Sequence, residues 1–175
     1  YLTLKKENRG NEIVMEDENN SLLEIDIKSC EPALLHAVLY KETPADVYSL
    51  FGDGIPRSKV KIAVISSLYG STPKRVKNVT GMEMKDIHRI VDHFQIKKIK
   101  KEIELQHSEN GYFYNLYGRP IYDIGSPVNY WLQSSAADYS CLAFLNLVER
   151  LNLNVKACIH DAIIVEVNSS QSNFL

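Results

Sequence analysis

VKACIHDAIIVEV, residues 155–167, is the stretch from which the fold of this 175-residue chain is read. Two short apolar runs, VKACI and AIIVEV, flank His160-Asp161, so the segment reads as two strands with that dipeptide in or beside a tight turn. A further strand pattern stands at the other end of the chain. LLEIDI, residues 22–27, alternates strictly, with Leu23, Ile25 and Ile27 on one face and Glu24 and Asp26 on the other. Residues 11–17 read as a further short strand, joined to it through Glu18-Asn19-Asn20. Helical patterns fill the space between. Strands at both ends and helices between them predict an α+β fold whose one sheet is assembled from distant segments.

The intervening elements carry their own punctuation. EPALLHAVLY, residues 31–40, predicts a helix with Pro32 in its first turn. A short second helix is expected over 44–51. Pro56 opens a third, which ends at Gly70. Ser71-Thr72-Pro73 breaks the chain before a basic helix. Residues 81–106 read as one long helix or two joined ones. Asn110-Gly111 is a turn, and YFYNLYGRPIYDI, residues 112–124, predicts a β-hairpin with Gly118 at its tip. Ser126-Pro127 caps a long helix running to about residue 151, and the last residues, 168–175, read as a tail.

Composition narrows the class. Hydrophobic residues make up 45% of the chain, which suits a globular domain with a sizeable core. No apolar run approaches the roughly 20 residues needed to span a bilayer, so no membrane partner is expected. The first residues, YLTLKKENRG, are polar and unlike a signal peptide, and they lack an initiator Met. A cytoplasmic setting and a piece of a longer product are the expectations. Cys30, Cys141 and Cys158 are widely spaced and form no zinc pattern, which fits a reduced compartment. The formal charge of −2 gives no global attraction to nucleic acid, so any such binding rests on local patches. The densest, KKIKK at 97–101, stands before Glu102 and Glu104 and reads as a solvated helix face with i,i+4 pairs.

RSKVKIAVISSLYG, residues 57–70, carries the chemistry. Arg57, Lys61, Ile65 and Tyr69 recur every fourth residue and form one slowly drifting stripe on a helix. Its two cations lie where the helix dipole is already positive, which costs roughly 0.3–1 kcal/mol each unless an anion is near. A triphosphate resolves that conflict, since basic side chains and helix N-termini both suit phosphate. The plainer reading is a solvated basic face with Ile62, Ala63, Val64 and Leu68 in the core. A second constellation is the acidic pair. If the strands of Asp26 and Asp161 are neighbours, the two carboxylates meet at one sheet edge and repel unless a cation lies between them. Mg²⁺ takes one or two carboxylates and shares substrate phosphates, and two such ions form the clamp used for in-line phosphoryl displacement. Either aspartate alone reads as an ordinary exposed turn or strand end.

Taken together, these motifs resemble the polymerase core of family A DNA polymerases over residues 11–167. DIKSCE at 26–31 resembles the first palm motif, an Asp followed five residues later by Glu. Arg57, Lys61 and Tyr69-Gly70 match the fingers helix in spacing. CIHDAIIVEV at 158–167 resembles the second palm motif, and NYWLQSSAAD at 129–138 resembles the palm helix that carries an Asn and a Gln before a small-residue run.

The resemblance implies an organisation and roles. Residues 1–33 would form palm strands with the first acidic motif. Residues 34–124 would be the fingers, with the helix at 57–70 and a hairpin near 111–124. Residues 125–167 would be the palm helix and His-Asp hairpin, and 168–175 a tail. The function implied is template-directed addition of deoxynucleotides to a primer 3′-hydroxyl by a two-metal mechanism. Asp26 and Asp161 would ligate two Mg²⁺ ions with help from the Ile27 carbonyl. Arg57 and Lys61 would hold the deoxynucleoside triphosphate, with Ile65 and Tyr69 beside it and Glu31 a steric gate against a 2′-hydroxyl. Asn129, Gln133 and His160 would approach primer-template DNA. The place of action would be a nucleoid or a phage-infected cell.

The chain also departs from the pattern. Ile65 stands where an aromatic residue is usual, Ala162 where a Glu is usual, Gly125 where an Arg is frequent, and Val47-Tyr48 where Ile-His follows the Asp. Thumb and exonuclease segments are lacking, so a second chain or sequence outside this stretch would supply the thumb. Two rival readings are a single-subunit, phage-type RNA polymerase, which shares the Arg-Lys-Tyr-Gly helix, and a polymerase-like subunit that has lost catalysis and serves binding or assembly.

Overall fold

A computed structural model describes residues 13, 15–52, 54–123 and 125–168. The chain divides into two compact units, one of residues 29–136 and one of residues 1–28 with 137–175. Helix α6 (Pro127–Leu151) contributes its first ten residues to the former and the rest to the latter.

The smaller unit is built on an antiparallel sheet in the order β1-β5-β4, from β1 (Asn20–Asp26), β4 (Asn154–Ile159) and β5 (Ala162–Asn168). Distant segments do pair: Asn20 lies opposite Asn168 and Asp26 opposite Ala162. The alternation read from LLEIDI holds. Leu23, Ile25 and Ile27 pack with Ile163, Val165 and Val167 of β5 and with Phe144, Leu147 and Val148 of α6. Glu24 and Asp26 are exposed, as period-2 geometry requires.

The first strand expected over 11–17 is not formed at its described residues, 13 and 15–17. Its residues 11, 12 and 14 lie outside the described residues, as does the tail beyond 168. A side chain does the work of a ladder there. Glu166, 4% exposed, accepts the backbone N–H groups of Glu16 and Asp17 and the Asn20 amide on one carboxylate oxygen, at 2.8, 3.2 and 2.9 Å. Its other oxygen meets Lys156 Nζ at 2.7 Å, and Lys156 also reaches Glu16 at 2.6 Å. Lys156 arrives there because β4 shifts register between Val155 and Ala157, a bulge that re-aims one side chain. The buried carboxylate is thus satisfied by a cation and three donors, the condition for keeping a charge out of water.

The larger unit is mostly helical: α1 (Cys30–Tyr40), a 3-10 helix Val47–Phe51, α2 (Arg57–Leu68), α3 (Pro73–Thr80), α4 (Met84–His93), α5 (Ile96–Asn110) and a hairpin of β2 (Phe113–Tyr114) and β3 (Pro120–Ile121). Its core joins Leu35, Tyr48, Phe51, Val60, Val64, Leu68, Ile87, Ile90, Phe94, Phe113 and Leu132. The element expected over 44–51 is shorter and tighter than an α-helix. Asp46 caps it, accepting Tyr48 N–H at 3.3 Å. Residues 81–106 resolve into two helices, because Gln95 takes a left-handed backbone (φ 48) between them. Lys100 and Glu104 form the i,i+4 pair expected on the solvated face, at 3.6 Å. Gly118 sits in the hairpin turn at φ 77, where a Cβ would be strained.

Candidate functional site

The two halves of the acidic pair come together through strand register. Asp26 ends β1 opposite Ala162, and the next backbone N–H, of Ile27, donates to the Asp161 carbonyl at 2.9 Å. The carboxyl-bearing residues are therefore neighbours across one ladder, although 135 residues separate them. His160 occupies the first position of the two-residue turn with φ 53. A non-glycine residue in that region costs about 1–3 kcal/mol and persists only where its surroundings impose it. His160 is exposed. Among the described residues no group of three or more His, Cys, Asp or Glu is gathered as a complete metal cage.

In the larger unit the stripe Arg57, Lys61, Ile65 and Tyr69 lies on the outer face of α2. Arg57, Lys61 and Tyr69 are exposed and Ile65 half-buried, while Val60, Ala63, Val64, Ser67 and Leu68 are buried on the adjoining face. Ile62, expected in the core, is instead 44% exposed. It lies one residue from Lys61 and Ala63, and the buried arc of a short surface helix is too narrow to include it.

The stripe is not bare. The Arg57 guanidinium donates through Nε to Asp46 Oδ2 at 2.6 Å and through Nη2 to Asp46 Oδ1 at 3.0 Å, and lies 4.9 Å from the Tyr48 ring centroid. The anion that a cation at a helix start calls for is thus supplied within the chain by Asp46, which holds the guanidinium pKa above its ordinary value. Burial raises the Tyr48 phenol, against a hydrogen bond with Ser29. Sequence reasoning missed this arrangement. Its one available signal was the Asp46-Val47-Tyr48 run, which carries no periodicity.

Glu31, in the first turn of α1, accepts the Tyr69 hydroxyl on Oε1 at 3.0 Å. Two residues that the resemblance assigns to the nucleotide are thereby joined. Asn129 and Gln133 lie one turn apart on α6. Gln133 is exposed, whereas the Asn129 Oδ1 atom is buried and accepts no hydrogen bond. The β2–β3 hairpin is stitched to this turn of α6. Leu116 N–H donates to Ser135 Oγ at 3.1 Å, and Arg119 Nη2 donates to the Ser134 carbonyl at 3.1 Å.

Comparison with known proteins then gives the class. The fold is that of a polymerase domain: the POL domain of Pol1 from M. smegmatis, solved in complex with DNA primer-template and dNTP, matches with a TM-score of 0.58 over 93% of this chain and 36% of that chain. At 16% identity that likeness is one of fold. In sequence, the chain is similar to the DNA polymerase of Mycobacterium phage L5, 27% identical over 143 residues, which are 75% of this chain and 24% of the relative. It is also similar to the DNA polymerase of Mycobacterium phage D29, 25% identical over 139 residues, 71% of this chain and 23% of that one. No family profile matches. The chain therefore resembles part of a DNA polymerase in both sequence and fold, and it spans about a quarter of the length of these phage relatives.

Proposed function

We propose that the chain is the palm and fingers core of a family A, template-directed DNA polymerase. The observation that carries this is the β1–β5 register, which makes neighbours of Asp26 and Asp161. Two carboxylates and the Ile27 carbonyl are hard oxygen donors, too few to complete a cage by themselves. That donor set fits Mg²⁺, which keeps water and substrate phosphate in its remaining positions. When bound, the two ions would supply Lewis acidity to the primer hydroxyl and charge neutralisation at the phosphate. The step is in-line: the primer 3′-oxygen bonds to the α-phosphorus, the bond to pyrophosphate breaks, and the hydroxyl proton leaves to water.

The chain's own residues bind and orient. Asp26 and Asp161 would hold the two ions, and so place their positive charge at the reacting phosphate. Arg57 and Lys61 hold the triphosphate tail, where paired cations suit its oxygens. Tyr69 lies under the nascent base pair, and its bond to Glu31 keeps that carboxylate where it excludes a 2′-hydroxyl. Gln133 donates to minor-groove acceptors, which both base-pair types present. The buried, unpaired Asn129 oxygen awaits a donor nearby.

Primer extension with Mg²⁺ tests the reading, run with deoxy- or ribonucleotides beside Asp161→Asn. Deoxynucleotide addition that the variant loses is expected. Preferential addition of ribonucleotides would move the assignment to an RNA polymerase, and a folded, DNA-binding protein without any extension would move it to a binding subunit.

A further inference from the structure

We propose that Asp46 is a positioning residue for Arg57, holding its guanidinium so that the outer edge is presented to the triphosphate. The inference rests on the polymerase reading of α2 and adds to it a residue that neither the helix pattern nor the acidic pair contains. A guanidinium has five N–H donors in a planar fork. Asp46 engages the side edge, through Nε at 2.6 Å and Nη2 at 3.0 Å. The end edge, made of Nη1 and the second Nη2 hydrogen, takes no part in that grip, and the Arg57 side chain is 51% exposed. One carboxylate therefore occupies one edge and leaves the other for phosphate oxygens.

The guanidinium also has an aromatic neighbour. Tyr48, 2% exposed, lies beneath it with its ring centroid 4.9 Å from the guanidinium carbon. Asp46 is itself anchored, because it caps the 3-10 helix through the Tyr48 N–H. Arg57 is thus gripped by Asp46 along one edge and lies over the Tyr48 ring at the start of α2, so the long arginine chain loses freedom before ligand arrives rather than on binding. Lys61, one turn on, carries no such carboxylate partner among the ion pairs of the described residues and offers a compact point charge.

The opposite role for Asp46 predicts the opposite sign. If Asp46 merely competed with phosphate for Arg57, its removal would free the cation and tighten nucleotide binding. If it positions Arg57, its removal weakens binding although it deletes a negative charge. The test is titration of a deoxynucleoside triphosphate, with Mg²⁺, into the full-length protein and its Asp46→Asn, Arg57→Ala and double variants, with the melting temperature of each. Asn at 46 keeps an oxygen for the Tyr48 cap and loses the two-point grip. The expected Kd rises roughly three- to tenfold in Asp46→Asn, the range that immobilising one long side chain represents. In the Arg57→Ala background the same change should add nothing. An additive effect, or an unchanged or lower Kd in Asp46→Asn while Arg57→Ala weakens binding, overturns the positioning role and leaves the polymerase reading standing. An Arg57→Ala protein with undiminished affinity overturns both.

Discussion

Asp161 carries the sharpest expectation at the residue scale. Replacing it with Asn removes one charge and keeps the volume, so the turn and the Ile27–Asp161 backbone bond should survive. Loss of several kcal/mol of charge stabilisation corresponds to a rate drop of roughly a thousandfold or more. Single-nucleotide extension beside a melting curve checks both halves, and full activity in the variant would refute the metal assignment. Glu31 has a different signature. Glu31→Ala should leave deoxynucleotide addition within reach of wild type while the preference for it over ribonucleotides falls roughly tenfold, about 1.4 kcal/mol of discrimination. The ratio of kcat/KM for the two sugars reports it. Tyr69→Phe should shift the same ratio in the same direction, because the hydroxyl that orients Glu31 is gone.

At the scale of elements, the join between α4 and α5 is the instructive case. Nothing in FQIKK announces a break, since it contains neither Gly nor Pro, and 81–106 reads equally well as one helix or two. Packing decides. Phe94 is fully buried against Phe51 and His93, and Ile96 and Ile99 must reach the same core, which a straight helix would not allow. Gln95 absorbs the turn in a left-handed conformation. Gln95→Gly should therefore stabilise the protein by about 0.5–1 kcal/mol, the left-handed penalty less the extra entropy of glycine. That is a rise of roughly 2 °C in Tm; a lower Tm would contradict it. Phe94→Ala, by contrast, should cost about 3–5 kcal/mol, as for a large side chain deleted from a closed core. The helix at 57–68 shows the other extreme. Its stripe and its buried face were legible because periodicity reports burial directly, Ile62 excepted. The Asp46–Arg57 bridge was not, because it joins residues of two elements across a turn.

At the scale of the whole molecule, two groups among the described residues bear on stability in acid. Lys156 and its fellow donors hold the Glu166 carboxyl at about 2, below the ordinary carboxylate value. Unfolding releases that carboxyl to its usual range, so the unfolded state binds the extra proton. Stability from this group is complete above about pH 4.5 and is lost as pH falls toward 2. Glu166→Gln should flatten that limb of a plot of urea midpoint against pH, whereas an unchanged slope would mean that other carboxylates dominate. His93 acts at higher pH. Its Nε2 lies 3.0 Å from His36 Nδ1, one ring nitrogen accepting from the other. Burial, the neighbouring His36 and Arg89 push the His93 pKa below its ordinary value. Stability should therefore begin to fall as pH drops below about 6.5, the unperturbed value, and His93→Gln should remove that onset.

Local physics made much of this legible from sequence alone. Alternation in LLEIDI separated a buried face from an exposed one, the fourfold spacing from Arg57 to Tyr69 gave a helix stripe, and Gly118 and Pro127 marked a turn and a helix start. Each depends only on the pitch of a strand or helix and on the backbone freedom of one residue. Tertiary structure decided what depends on meeting across distance: which strands pair and in what register, that a carboxylate rather than a ladder holds residues 16 and 17, and that Asp46 meets Arg57. Strand pairing is chosen by closing the core of the smaller unit, where burial is summed over segments from both ends of the chain, and the Asp46–Arg57 contact by how two elements of the larger unit pack; no single-element pattern contains either answer.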